Sequence, residues 1–340
     1  MKAAVFQGPG KSLVIEDVPD PEPEPGELLL KVKNCGVCGT DLHVTEEHDY
    51  TVGHGTLLGH EFSGEVVGIG RGAEGDWKLG DRVCALPFIG CANCRECVNG
   101  DPANCRRNSR TGFTSKNGAF AEYVRVGTRE TVKLPQSVSF REGALVEPLA
   151  VGLRALKLAQ LPPGGNVLVI GAGPIGLAVC LWAKVLGAAH VVVKAKTSRR
   201  FDLAAKFGAT GGIDASQDAS AEFKRLTGHQ PSCVFECVGV PGMIEDAITL
   251  AGFRGQVVVA GACMKPDVFN PLQAIVKEIT IKFSNCYRTP DFRYAIDMIA
   301  ADRIDVDAMI TDVVTLDALP DAFDALRERS NQCKVMWEAA

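Results

Sequence analysis

A glycine-rich turn between two apolar segments constrains the fold of this chain more than any other feature. Residues 167–170 are apolar and mostly β-branched, and Gly171, Gly173 and Gly176 follow in the spacing Gly-x-Gly-x-x-Gly. The first segment is too short for a helix and predicts a buried parallel strand. Residues 177–186 predict a helix that is closed by the glycine after it.

This strand, turn and helix predict a binding site for the diphosphate of a dinucleotide. The three glycines allow a tight turn, close approach of the diphosphate and close packing of the helix on the strand. Pro174 and Ile175 complete the turn, and the amides at the helix N-terminus face the diphosphate. On this stretch alone, a glycine turn in an α/β protein of another kind remains the alternative.

The sequence pattern changes near residue 152 from short, turn-bounded strands to alternating strands and helices. Six strands with helical crossovers form a doubly wound parallel sheet. We expect residues 1–150 to form a mostly β domain, residues 151–287 to bind the dinucleotide, and residues 288–340 to rejoin the first domain. The six strands are predicted at residues 167–171, 190–193, 212–214, 233–237, 256–260 and 279–283.

Charge and hydropathy exclude several classes of protein. The chain has 340 residues and a formal net charge of -5, which gives no electrostatic basis for binding nucleic acid or an anionic membrane. Residues 161–183 carry no charge, but their prolines and glycines argue against a membrane span. The N-terminus lacks the apolar stretch of a signal peptide, so we expect a cytoplasmic protein.

Four cysteines lie close together at Cys91, Cys94, Cys97 and Cys105. The chain has 13 cysteines, an odd number, and no secretion signal, so metal binding is favoured over disulfide bonds. Four thiolates without a histidine predict a closed tetrahedral site for structural zinc. A four-iron cluster is the competing interpretation, although Arg106 rather than proline follows the last cysteine.

A second group of residues has the ligand types of a catalytic metal site. A thiolate, an imidazole and a carboxylate bind zinc while one position stays open for water or substrate. The alternatives are a structural loop cysteine and a thioredoxin-type redox pair, which needs a βαβ context. The candidates occupy two short stretches, with Cys35, Cys38, Asp41 and His43 in the first and His60 and Glu61 in the second.

Three further residues are weaker candidates. Glu147 stands among apolar residues just before a proline, and a buried acid needs a partner or a metal. The alternative for Glu147 is a carboxylate at a helix start. His48 and His54 lie in a loop near the second group, where they either line a substrate cleft or face solvent.

Taken together and in this order, the motifs resemble the zinc-containing medium-chain dehydrogenase/reductase family over essentially the whole chain. Glu147 stands where classical alcohol dehydrogenases have a cysteine, so the polyol, butanediol and threonine dehydrogenase branch is the most similar. The resemblance implies an α/β fold in which a Rossmann doubly wound parallel sheet is inserted into a mostly β, GroES-like catalytic domain. The matching stretches are residues 36–43, 59–64, the four-cysteine segment, 146–150 and 171–176.

The resemblance also implies a role for each matching residue. Cys38 and His60 would bind catalytic zinc, and Glu61, Glu147 or water would complete its coordination. Asp41 would orient a ligand, and Thr40 and His43 would carry a proton from the substrate hydroxyl while hydride passes to the nicotinamide. Structural zinc would be held by Cys91, Cys94, Cys97 and Cys105. A secondary alcohol or polyol, or the corresponding ketone, would be the substrate, and the chain would form a homo-oligomer.

One departure from the family pattern concerns the coenzyme. Members that bind NAD(H) carry an acid about 20 residues after the glycine turn, where it binds the ribose 2′-hydroxyl. Ala195 occupies that position, and the residues after it suit a 2′-phosphate, so we expect NADP(H) rather than NAD(H). A solvated basic helix start is the alternative. The basic or hydroxyl-bearing residues are Lys196, Thr197, Ser198, Arg199 and Arg200.

Two other functions are compatible with parts of this pattern. A nucleotide-binding structural or sensor protein could keep the fold after losing catalysis, and the complete set of candidate ligands argues against it. A zinc-free reductase of the same superfamily would lack those ligands. The sequence therefore favours a zinc-dependent alcohol dehydrogenase.

Overall fold

The computed structural model describes residues 1–46, 52–113, 116–328 and 332–340. His48 lies outside the described residues. The chain forms two compact units, one of Met1–Glu147 with Tyr287–Ala340 and one of Pro148–Cys286. No helix among the described residues is long and apolar enough to cross a membrane.

Short strands predominate in the first unit, in agreement with its turn-rich sequence. In chain order the structure contains strands β1 (Lys2–Val5), β2 (Val14–Asp17) and β3 (Glu27–Gly36), helix α1 (Gly39–His43), strands β4 (Glu61–Ile69), β5 (Arg82–Ala85) and β6 (Phe88–Ile89), helix α2 (Arg95–Val98), strands β7 (Ser109–Arg110), β8 (Tyr123–Gly127) and β9 (Thr131–Lys133), and helix α3 (Phe140–Ala159). Glu147 lies in the interior of α3, so the interpretation of Glu147 as a helix-start carboxylate is wrong.

The second unit alternates strands with helices, as predicted. Its elements are β10 (Asn166–Ile170), α4 (Pro174–Val185), β11 (His190–Ala195), α5 (Ser198–Lys206), β12 (Gly211–Asp214), α6 (Ala219–Thr227), β13 (Cys233–Glu236), α7 (Met243–Leu250), β14 (Gln256–Val259), α8 (Pro271–Val276) and β15 (Thr280–Phe283). The six strands form one parallel sheet in the order β12-β11-β10-β13-β14-β15. The predicted doubly wound sheet is confirmed.

The last segment of the chain returns to the first unit. It contains α9 (Thr289–Ala300), β16 (Ile310–Val314), α10 (Leu319–Ala325) and β17 (Lys334–Glu338). β17 pairs with β3 antiparallel, with Trp337 opposite Cys35, and β3 pairs with β4, with Gly36 opposite Glu61. This pairing places the end of β3, the start of β4 and the start of β17 side by side, where the candidate ligands lie.

Each unit has a core of its own, built from apolar strand residues. In the first unit Phe62, Phe120 and Trp337 belong to one buried cluster, and the Trp337 indole N–H donates to the carbonyl of Ala119 at 2.8 Å. In the second unit Leu168, at 0% exposure on the central strand β10, packs in a cluster with residues of the neighbouring strands. Such strands are apolar throughout because helices cover both faces of a parallel sheet.

We expect Leu168→Ala to lower the free energy of unfolding of the second unit by about 2–5 kcal/mol, because the lost side chain leaves a cavity in a packed core. Leu186→Ala is the matched control, since Leu186 is 43% exposed at the end of α4. Urea unfolding of both variants checks the prediction. Equal losses in the two variants would contradict the assignment of Leu168 to the core.

Candidate metal centres and coenzyme-binding turn

Cys38 is placed by the short helix that follows β3. It is the N-cap of α1, where its Sγ accepts from the backbone N–H of Thr40 at 3.5 Å. The Oγ1 of Thr40 lies 3.6 Å from the same sulfur. Asp41 completes the cap, since its Oδ2 accepts from the backbone N–H of Cys38 at 2.9 Å. A single turn of helix thus holds the thiol, a hydroxyl and a carboxylate together.

His60 and Glu61 stand at the start of β4, next to Cys38. One donor atom each from Cys38, His60 and Glu61 lies within 4.8 Å of the other two. Gly36 is required opposite Glu61, because a Cβ at position 36 would stand 2.4 Å from the Glu61 carboxylate. A thiolate, an imidazole and a carboxylate in this arrangement fit zinc, which takes these donors in tetrahedral sites.

Asp41 orients the His60 ring. Its Oδ1 lies 3.2 Å from His60 Nδ1, and both side chains are almost fully buried. Burial alone would lower the pKa of His60, but the Asp41 carboxylate prevails and holds that pKa well above its usual range. With Nδ1 bound to Asp41, Nε2 is the ring nitrogen that remains for a metal, as in the carboxylate–histidine pairs of zinc proteins.

Glu61 forms a buried ion pair with Lys334, the first residue of β17. The Lys334 ammonium donates to the two Glu61 oxygens at 2.7 and 2.6 Å and to the carbonyl of Val37 at 3.0 Å. Both side chains are 1% exposed. Burial would lower the pKa of Lys334, but the charge of Glu61 more than offsets this effect and raises it. The ion pair therefore holds the Glu61 carboxylate in a fixed place beside Cys38 and His60.

Glu147 approaches this group from α3 without joining the cluster of three donors. Its Oε1 accepts a hydrogen bond of 2.6 Å from the Tyr287 hydroxyl, and its side chain is buried. Burial raises the pKa of Glu147 to about 7, with His60 lowering it and Glu61 raising it. Glu147 thus interacts electrostatically with His60 and Glu61, two of the candidate metal ligands.

The charges around the donor group favour a divalent cation. Asp41, Glu61 and Glu147 are buried acids that face one lysine and one histidine, and Cys38 adds a thiol that must lose its proton to bind a metal. Buried charges of one sign are costly unless they are paired or bound to a metal. The charge balance therefore agrees with the donor chemistry.

The four-cysteine segment forms a second candidate metal centre. Sulfur atoms of Cys91, Cys94, Cys97 and Cys105 all lie within 4.8 Å of one another. A hydrogen bond at Asn93 lowers the pKa of Cys91 to about 6, whereas burial and the neighbouring thiols raise that of Cys97 to about 12. Four sulfur donors suit a closed structural zinc site.

Several weaker candidates lie outside both centres. Cys35 is buried in β3, its Sγ lies 3.6 Å from the Gly36 carbonyl oxygen, and it forms no disulfide with Cys38. His43, half-buried, ends α1, and His54 is exposed.

The glycine turn has the geometry that a diphosphate site needs. Gly171 has a φ of +99°, which favours glycine, and a Cβ on Gly176 would stand 2.0 Å from the Gly171 carbonyl oxygen. Gly173 is the N-cap of α4, and a Cβ added to it would meet no atom within 4 Å, so the space beside it is open. Pro174 and Ile175 begin the helix, whose first-turn amides have no partner within it.

The segment after β11 continues this surface. Ala195 is the last residue of β11 and is buried, while Lys196, Thr197 and Arg199 are exposed. Arg200 reaches the glycine turn, with its Nη1 donating to the Ala172 carbonyl at 3.3 Å. The nearest acid on the adjacent strand, Asp214, accepts from Ser216 at 2.6 and 2.9 Å. The segment thus presents basic side chains and no carboxylate at the position after β11.

The fold and the donor groups define a class of protein, the two-unit zinc dehydrogenases. One unit has a doubly wound sheet with a glycine turn, and the other is rich in β-strands and carries two donor groups that contain cysteine. Residues 24–136 match the model of the alcohol dehydrogenase GroES-like domain, and residues 174–301 match that of the zinc-binding dehydrogenase. The predicted GroES-like and Rossmann fold is therefore confirmed.

Individual relatives match along nearly the whole chain. The (R,R)-butanediol dehydrogenase of Bacillus subtilis is 33% identical, covering 99% of this chain and 99% of its own. Chicken (Gallus gallus) sorbitol dehydrogenase is 34% identical, and the match covers 95% of this chain and 92% of the chicken protein. A zinc-binding dehydrogenase structure from Sinorhizobium meliloti, bound to NADP, has a TM-score of 0.89 at 30% identity, covering 99% of each chain. The chain belongs to the zinc-containing medium-chain dehydrogenase/reductase family and is an NAD(P)-dependent zinc oxidoreductase.

Two residues of the site were not identified from sequence. Lys334 opens an apolar strand far along the chain, and Tyr287 follows the last strand of the sheet. The available signal was indirect, because a buried acid such as Glu61 or Glu147 requires a buried donor somewhere. Only the pairing of β17 with β3 and the position of Tyr287 show which donors these are.

Replacing one partner of the Glu61–Lys334 pair tests its role. We expect Lys334→Met to lower the free energy of unfolding by about 3–5 kcal/mol, because a buried carboxylate loses its counter-charge. The double variant Lys334→Met with Glu61→Gln removes both charges and should recover most of that loss. Denaturant unfolding of the two variants measures the difference, and a double variant as unstable as the single one would argue against the pair.

Proposed function

We propose that this chain is a zinc-dependent alcohol dehydrogenase that interconverts a secondary alcohol or polyol and its ketone, with NADP(H) as the preferred coenzyme. The observation that carries the proposal is the convergence of donor atoms from Cys38, His60 and Glu61 within 4.8 Å in one unit. The glycine turn of the other unit supplies the coenzyme site.

The side chains around the donor group have complementary tasks. Zinc, when bound, supplies a Lewis acid that makes a substrate hydroxyl more acidic. Thr40 stands beside Cys38, where its hydroxyl accepts the substrate proton and passes it toward His43 at the other end of α1. Asp41 keeps the His60 ring in one orientation. The nicotinamide, when bound, would supply or accept hydride, and the proton of the substrate hydroxyl would leave by way of Thr40 and His43.

The substrate class rests on the relatives and on Glu147. Relatives that align along nearly the full chain are named butanediol and sorbitol dehydrogenases, whose substrates carry neighbouring hydroxyl groups. A carboxylate at position 147, buried and hydrogen-bonded, adds an acceptor near the metal ligands. We infer a substrate with more than one hydroxyl group. The comparisons give no support to a catalytically silent sensor.

The coenzyme preference rests on the segment after β11. Ala195 offers no carboxylate to a ribose 2′-hydroxyl, and Lys196, Arg199 and Arg200 supply positive charge for a 2′-phosphate. Thr197 is the N-cap of α5 and makes no capping hydrogen bond, so its hydroxyl is directed at no amide of its own helix. Together these residues support NADP(H).

Association of identical copies is also part of the proposal. Strand β15 is an edge of the parallel sheet, and Phe283 on that edge is 65% exposed. Leu272 and Ile275 of α8, in the same unit, are 59% and 68% exposed. An edge strand that carries an exposed aromatic side chain is a template for pairing with a second copy, and the exposed apolar side chains of α8 add surface that an interface would bury.

Metal content tests the catalytic centre. We expect about two zinc ions per wild-type chain, because each donor group suits one. Cys38→Ser should keep only the zinc of the four-cysteine centre and lose turnover of butane-2,3-diol and sorbitol. Elemental analysis measures the metal, and Cys263→Ser, outside both groups, is the control that keeps two ions. Two zinc ions in Cys38→Ser would contradict the assignment.

Titration with NADPH and NADH, followed by nicotinamide fluorescence, tests the coenzyme preference. We expect tighter binding of NADPH to the wild type. Ala195→Asp should shift the preference toward NADH by roughly tenfold or more, because the new carboxylate repels a 2′-phosphate and accepts from a 2′-hydroxyl. Arg225→Ala, which removes an exposed arginine of α6, should leave the preference unchanged. Tighter NADH binding by the wild type would overturn the proposal.

A further inference from the structure

Tyr287 is a buried residue whose hydroxyl faces Glu147, the carboxylate beside the candidate metal ligands. It is 2% exposed, and its hydroxyl donates to Glu147 Oε1 at 2.6 Å. A short hydrogen bond from a buried hydroxyl to a carboxylate belongs to the stronger class of such contacts. The phenol therefore determines where one oxygen of Glu147 lies.

The Tyr287 ring is itself held on several sides. It packs against Phe292 with ring centroids 4.9 Å apart and against Phe88 at 6.3 Å. The two residues after it are tied to the four-cysteine lobe: the backbone N–H of Thr289 donates to the Gly100 carbonyl at 2.9 Å, and Arg288 pairs with Asp101 at 3.4 Å. These contacts fix the Tyr287 ring and therefore the position of its hydroxyl beside Glu147.

Glu61 and Glu147, the two carboxylates near the candidate catalytic centre, are held by different partners. Lys334 holds Glu61 within the group formed with Cys38 and His60, whereas Tyr287 holds Glu147 outside the set of atoms within 4.8 Å. A zinc ion with three protein ligands keeps its fourth position for water or substrate, and a second carboxylate would fill it. The two partners therefore place Glu61 where it can bind the metal and Glu147 where it cannot.

We propose that Tyr287 is a positioning residue that keeps Glu147 out of the ligand shell of the catalytic metal and so leaves one coordination position open. The inference rests on the proposed function, since it requires a metal at Cys38, His60 and Glu61. Removing the hydroxyl frees Glu147 to move to the metal, and the three-ligand site becomes a four-ligand site.

Cobalt(II) in place of zinc reports this change directly, because its visible absorption bands shift when a carboxylate replaces water in a four-coordinate site. Tyr287→Phe keeps the ring packing and removes one oxygen. We expect shifted visible bands, because a carboxylate takes the place of water. We also expect a slower release of the catalytic metal to a chelator, by roughly 10- to 100-fold, the size of effect that partners of metal ligands have on metal affinity. Both changes should vanish in Tyr287→Phe with Glu147→Gln, since no carboxylate remains to bind.

The controls separate this role from a structural one. Tyr123→Phe removes a hydroxyl from β8 and should leave the spectrum and the release rate as in the wild type. The absorption of the four-cysteine centre is common to all variants and cancels in difference spectra. An unchanged spectrum in Tyr287→Phe, or the same change with and without Glu147, would overturn the role of Tyr287 while leaving the proposed function intact. A wild type that takes up cobalt at the four-cysteine centre alone would overturn both.

Discussion

The buried ion pair between Glu61 and Lys334 is the interaction on which the candidate catalytic centre depends. A carboxylate at 1% exposure is costly without a counter-charge, and the lysine that supplies it comes from the far end of the chain. The pairing of β17 with β3, and of β3 with β4, brings these two residues together. The strand pairing that closes the first unit therefore also places Glu61, a candidate metal ligand.

The same principle governs the other acids of the site. Asp41 caps a short helix and binds the ring of His60, while Glu147 accepts from Tyr287. Each carboxylate therefore has a hydrogen-bond donor that sets its position. The oxygens of Glu61 lie beside Cys38, whereas Glu147 lies outside that group. Chemistry of this kind needs atoms held in place before a metal or substrate arrives.

Local sequence patterns were sufficient to predict the strands of the parallel sheet. The six parallel strands lie within a residue or two of the predicted positions, because a buried strand between turn residues has a characteristic composition. Glu147 shows the limit. Its apolar neighbours indicated a special residue, but whether it began a helix or lay inside one depended on α3 starting at Phe140, which the proline at 148 obscured.

The sequence by itself determined the classes of residue involved: the glycines of the coenzyme turn, the four clustered cysteines, and the spacing of Cys38, His60 and Glu61. Steric limits and metal coordination depend on residue type and local spacing, so they can be recognised along the chain. Only the tertiary structure decided that Lys334 and Tyr287 are the partners of the two glutamates. The physical reason is that charge compensation in a buried site acts through space, and residues more than a hundred positions apart become neighbours only when the sheet and helices pack.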